Sequence, residues 1–75
     1  MENEYPVDAE FYNVTIRKTV IDSIDHYEAR IMELPDIVEY APTPLQAYDL
    51  ALDSIRTTAA YFAEKGRQMP SPLVP

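Results

Sequence analysis

The sequence predicts an α+β fold of two layers, β-β-β-α, in which a three-stranded antiparallel sheet is covered by one long helix. Three observations carry this reading. Residues 11–20 and 26–34 alternate apolar and polar side chains. A later segment opens with a helix-capping signature and continues with apolar residues three and four apart. All the strand-like pattern precedes all the helix-like pattern, so one apolar sheet face and one apolar helix stripe are left to cover each other.

The first strand is read from FYNVTIRKTV, residues 11–20, where Tyr12, Val14 and Ile16 point one way and Asn13, Thr15 and Arg17 the other. Period two with β-branched and aromatic residues marks a half-buried strand. The following Ile21-Asp22-Ser23-Ile24-Asp25 reads as a turn, because short polar side chains there bond locally to the backbone. HYEARIMEL, residues 26–34, alternates again, with Tyr27, Ala29 and Ile31 on one face and His26, Glu28, Arg30 and Met32 on the other. It reads as the second arm of a hairpin. Pro35-Asp36 ends it, since proline has no N–H for the ladder. Residues 37–40 form a short third strand with Ile37 or Val38 inward.

The helix has the clearest signals. Thr43 is placed to cap it, Pro44 fits the first helical position, and Gln46 completes a capping box. Leu45, Tyr48, Leu52, Ile55, Ala59 and Phe62 make the apolar stripe. Gly66, the one glycine of the chain, follows Lys65 where a helix terminus favours positive φ. A helix over residues 44–65 is therefore expected, about 33 Å long. The domain reading is a loose lead-in over 1–9, one α+β domain over 10–68 and a proline-rich tail over 69–75. Three prolines within RQMPSPLVP exclude a central strand there. A surface crossing and a disordered tail both stay open.

Composition bounds function. A chain of 75 residues makes one domain of marginal stability, and with no cysteine it has no disulfide to reinforce it. Oligomerisation or a partner is the remaining support, so a homodimer or tetramer is expected. One histidine and no cysteine exclude a conventional structural zinc site, and no cofactor is expected. The lone glycine excludes a glycine-rich phosphate loop. No apolar run is long enough to span a membrane, and Met1-Glu2-Asn3-Glu4 is acidic where a signal peptide is basic, so a cytoplasmic protein is the default. Six basic against thirteen acidic residues give a net charge of −7. Such a surface repels phosphate, which argues against direct nucleic-acid binding, and it suits a basic protein partner.

Candidate chemistry is sparse. His26 and Glu28 share a strand face near Asp22 and Asp25, an arrangement that a metal could use, but one histidine among surface acids is weak evidence and a solvated strand face is the favoured reading. Ser23, Ser54 and Ser71 have no base or orienting group placed around them by any motif. Asp49 and Asp53, four apart on the helix, share one face and repel by a few tenths of a kcal/mol, about as much as the pair would gain with opposite charges. Arg56, three residues after Asp53, offsets that repulsion. Glu28, Glu33, Asp49 and Asp53 are the candidate partner-binding residues, and no catalytic or metal-binding residue is assigned.

The order and spacing of several short motifs resemble the HicB-like family, the antitoxin half of HicA–HicB toxin–antitoxin pairs, from about Tyr12 to Pro72. The family's opening strand pattern stands here as Tyr12-Asn13-Val14-Thr15-Ile16. Its second strand and following turn are matched by Tyr27-Glu28-Ala29-Arg30-Ile31 and Glu33-Leu34-Pro35-Asp36. The threonine cap before the helix is Thr43, with Gln46-Ala47 where the family usually has Glu-Ala. Gly66 and Pro70-Ser71-Pro72 match the elements after the helix. Pro42 stands where the family usually turns on glycine and aspartate. The resemblance implies a partial ribonuclease H-like fold without nuclease activity. It also implies neutralisation of a small basic RNA-cleaving HicA-type toxin. The family's further strand and DNA-binding extension have no counterpart up to Pro75, so operator binding is not expected. The alternative is a solitary HicB-like homo-oligomeric regulatory or scaffold module. An enzyme, a divalent-metal nuclease using His26, Glu28 and Asp36, is the third and weakest reading.

Overall fold

The computed structural model describes residues 7–73. Residues 1–6 of the expected lead-in and 74–75 of the tail lie outside the described residues. A 3-10 turn, Ala9–Phe11, precedes three strands, β1 (Val14–Ile21), β2 (Ile24–Ile31) and β3 (Leu34–Ala41), and one helix, α1 (Pro44–Glu64). The strands form one antiparallel sheet in the order β1-β2-β3. The α+β, β-β-β-α arrangement is the one the sequence predicts.

The boundaries differ in three places, each for a local reason. Asp8 caps the short turn by accepting a hydrogen bond from the Glu10 N–H, so the chain enters β1 only at Val14, and Tyr12 turns inward as a core residue. The first hairpin is tighter than the five-residue turn expected. Ile21 pairs with Ile24, and only Asp22 and Ser23 lie between, both in the left-handed region with φ of 52° and 66°. That is the geometry of a type I′ turn, whose twist matches the strands it joins. A serine there carries Cβ strain that glycine lacks. Ser23→Gly is therefore expected to raise stability by about 0.5–1 kcal/mol, read as a higher midpoint in urea unfolding.

The third difference lies at β3. Pro35-Asp36 does not end a strand; it lies inside one. Ile31 pairs with Leu34 and Arg30 with Val38, so residues 35–37 bulge out of the ladder, and Pro35, which has no N–H to donate, sits in the bulge.

The helix follows its signals closely. The Thr43 hydroxyl accepts from the Gln46 N–H at 3.2 Å and donates to Gln46 Oε1 at 3.0 Å. At the other end Gly66, φ 68°, closes a Schellman turn: Arg67 N–H bonds to the Phe62 carbonyl at 2.8 Å, and Gly66 N–H to that of Ala63 at 3.1 Å. The buried stripe keeps Leu52, Ile55 and Ala59 of the expected one, with Tyr48 packed against the core, but is rotated slightly toward Ala47 and Ala51 and away from Leu45. Ala47, Ala51, Leu52, Ile55 and Ala59 are buried, whereas Leu45 is 69% exposed. Small side chains let the helix approach the sheet closely, against Ala29, Ile31 and Ala41. The helix packs evenly over β2 and β3 and less over β1.

After the helix the chain is held, not loose. Met69 packs on the core. The Tyr12 hydroxyl donates to the Pro70 carbonyl at 2.5 Å, and the Asn13 side-chain amide donates to the Leu73 carbonyl at 2.7 Å. Of the two readings of the tail, the surface crossing describes residues 69–73. Among the described residues, no helix is long and apolar enough to cross a membrane.

Candidate functional site

The four acidic residues singled out in the sequence do not converge. Three separate places in the fold hold them, and their surroundings differ.

Glu28 lies on the sheet face turned away from the helix. Cross-strand register sets Arg17, Glu28 and Tyr40 in one row across the three strands. Arg30, two residues along, donates to Glu28 through Nε at 3.0 Å and Nη2 at 3.4 Å, and the Tyr40 hydroxyl adds a bond at 3.4 Å. The Arg30 hydrogen bond is the main cause holding the Glu28 pKa below its usual range; the charges of Arg30 and Arg17 and the Tyr40 bond act in the same direction against partial desolvation. Glu28 is thus the hub of a polar row that already satisfies it.

Glu33 points inward. It is 8% exposed, and both carboxylate oxygens are occupied: the Asn13 backbone N–H donates at 3.1 Å, the Asn13 side-chain amide at 2.7 Å and the Leu73 N–H at 2.8 Å. Burial by itself raises its pKa, but the bonds from Leu73 and Asn13 outweigh that, and the carboxyl is held low. Nearby Tyr12 is pushed up, first by burial and then by the Glu33 charge. Glu33 therefore ties the start of β1 to the tail, and an expected surface contact is instead an internal one. Its partners stand 20 and 40 residues away in sequence, which is why no local motif reveals them.

Asp49 and Asp53 are exposed, as their positions on the helix require. They line a surface hollow of about 680 Å³, together with Gln46, Leu50, Arg56 and, from the turn before β1, Glu10. Tyr40, Ala41, Pro42 and Leu52 line it as well, so it reaches from the acidic flank of α1 to the end of β3 and the margin of the core. A fifth acid, missed from sequence, stands on the inner sheet face: Glu39 pairs with Ala29 across the strands and accepts a short hydrogen bond from the Ser54 hydroxyl. Alternation along β3 would have placed Glu39 inward had the bulge been read.

His26 bonds through Nδ1 to the Ile24 carbonyl at 3.0 Å. Asp25 points to the opposite sheet face, where it pairs with Lys18 at 3.5 Å. Among the described residues, no three His, Cys, Asp or Glu side chains are grouped to hold a metal ion.

Comparison with protein-family models, with curated proteins and with solved structures returned no match. What the fold defines by itself is a small α+β domain with one helix-covered and one open sheet face.

Proposed function

We propose that this chain is a protein-binding module of the HicB-like antitoxin type, acting in the cytoplasm, whose acidic helix flank docks a small basic RNA-cleaving toxin of the HicA type. The observation that carries the reading is the placement of Asp49 and Asp53. Both are exposed on the outward side of α1, beside a hollow of about 680 Å³ that a protruding basic side chain can enter. Arg56, which lines the same hollow, offsets part of their mutual repulsion, and a partner's cation entering there relieves the rest. A net charge of −7 adds long-range attraction for a basic partner, which acts mainly on the encounter rate.

The reading no longer includes Glu33, which is buried, and it gives Glu28 no direct contact, since Arg30 and Tyr40 already hold it. A second reading, a solitary homo-oligomeric module, is favoured by a different observation: β1 and β3 both leave an open sheet edge.

Reversing Asp49 and Asp53 to lysine tests the first reading. Binding to a small basic HicA-type protein should weaken by about tenfold or more, chiefly through a slower association rate. Circular dichroism should stay unchanged, because both residues are exposed. Unaltered binding by a folded double variant would contradict the proposal.

A further inference from the structure

The two open edges of the sheet are not equivalent. β1 is regular over its whole length, but Arg17 and Lys18 stand at its centre. Antiparallel two-fold pairing of β1 with itself, centred there, sets arginine opposite arginine or lysine opposite lysine, and like charges directly opposite are destabilising. The β3 edge differs. Its bulge confines regular pairing to residues 38–41. Above that stretch, the side of α1 turned toward the edge presents Leu50, Ser54, Thr57, Thr58 and Tyr61, none of them charged. Leu50 and Tyr61 are 40% and 51% exposed. Ile37, Leu50, Ser54, Thr57 and Thr58 line a hollow of about 280 Å³ between strand and helix, bounded also by Asp53 and by Glu39, whose carboxylate the Ser54 hydroxyl holds.

The helix position decides what this surface fits. Because α1 packs evenly over β2 and β3, its axis runs above the line between them. If β3 pairs with a β3 from a second copy, each helix lies one strand spacing from the two-fold axis. The two helices are then about 10 Å apart, given a spacing of about 4.8 Å between strands. Ordinary helix packing occurs at roughly 8–10 Å. Strand pairing and helix packing are therefore satisfied together by one operation. At the β1 edge they are not, because the helix sits farther from it. The register is restricted as well. A two-fold axis at Glu39 sets two carboxylates opposite each other, whereas an axis at Tyr40 pairs Tyr40 with Tyr40 and Glu39 with Ala41.

We infer that the β3 edge and the uncharged flank of α1 form an isologous interface for a second copy of this chain, with the axis at Tyr40 and Leu50 meeting Leu50. The strip itself carries no charge; its nearest carboxylates are Asp53 at its border and Glu39, which the Ser54 hydroxyl holds. Asp53 borders this interface, and the hollow of about 680 Å³ beside Asp49 and Asp53 also reaches Tyr40 and Leu50, so the acidic flank adjoins it. The inference does not rest on a toxin partner, and its test uses this chain alone.

Absence of cysteine makes the test direct. Single-cysteine variants Leu50→Cys and Thr15→Cys are treated with a short bis-maleimide. Sedimentation velocity follows the unmodified chain and Leu50→Lys. A dimer is expected, joined covalently from position 50 and not from position 15, with dissociation about tenfold or more easier in Leu50→Lys, because a lysine there is desolvated without a partner. Should Leu50→Lys fail to fold, the two crosslinking variants decide. A monomer at every concentration tested overturns the inference, as does crosslinking from position 15 but not 50.

Discussion

Ile55→Ala is expected to lower unfolding stability by about 3 kcal/mol. Ile55 and Ile31 are the largest fully buried side chains among the described residues, and Ile55 lies at the centre of the helix stripe that meets the sheet. Truncation removes three carbons from a site whose neighbours are mostly alanines and strand residues, which cannot collapse far into the cavity. A domain of this size has about 4–11 kcal/mol to lose, so the variant should melt about 15 °C lower or be partly unfolded at ambient temperature. Leu45→Ala is the control. Leu45 stands in the same periodic pattern but is 69% exposed, and its truncation should change stability by no more than about 0.5 kcal/mol. Urea unfolding of the two variants side by side checks the rotation of the stripe. Equal losses would mean that Leu45 is packed as the sequence pattern suggests.

Glu33→Gln is expected to cost about 2 kcal/mol at neutral pH. The carboxylate accepts three N–H donors, and an amide in its place turns one NH₂ group toward them, leaving at least one buried donor unpaired. The pH dependence follows from the sign of the shift. Hydrogen bonds hold the folded-state pKa below its unfolded value, so the stabilisation is fully present above about 4.3. It is lost as pH falls through the lower, folded-state value. Acid titration of the wild type should therefore show a fall in the urea midpoint that is reduced in Glu33→Gln. Hydrogen exchange adds a local readout: the Leu73 amide, protected through Glu33 in the wild type, should exchange faster in the variant at neutral pH. A Leu73 amide equally slow in both proteins would place the tail's attachment elsewhere.

These two residues also mark what was legible in the sequence and what was not. Features written within a few residues were read correctly. Thr43, Pro44 and Gln46 start the helix, and Gly66 ends it, because capping is a contact between near neighbours. Alternation placed Tyr27, Ala29 and Ile31 on the covered face for the same reason. Spacing along the helix finds Leu52, Ile55 and Ala59 as buried residues and errs at Leu45. Alanine was given little weight against leucine, yet close packing on the sheet uses Ala47 and Ala51 and leaves Leu45 outside. The start of β3 was misplaced because a proline reads as a terminator when its bulge is not in view. Glu33 reads as a surface acid in the sequence because its role depends on Asn13 and Leu73, which only the folded chain brings near. The candidate site divides in the same way. Helical spacing alone placed Asp49 and Asp53 together, and strand alternation set Arg30 beside Glu28, whereas the Tyr40 hydroxyl on Glu28 depends on strand register.

The central claim is that this acidic chain binds a basic protein partner through charge. The most direct measurement is light scattering of the wild-type chain, alone and mixed with a small basic HicA-type protein, over a series of salt concentrations. The account predicts a complex of defined mass at low salt that dissociates progressively as salt screens the acidic flank. A chain whose mass is the same with and without that protein, even at the lowest salt, would contradict it.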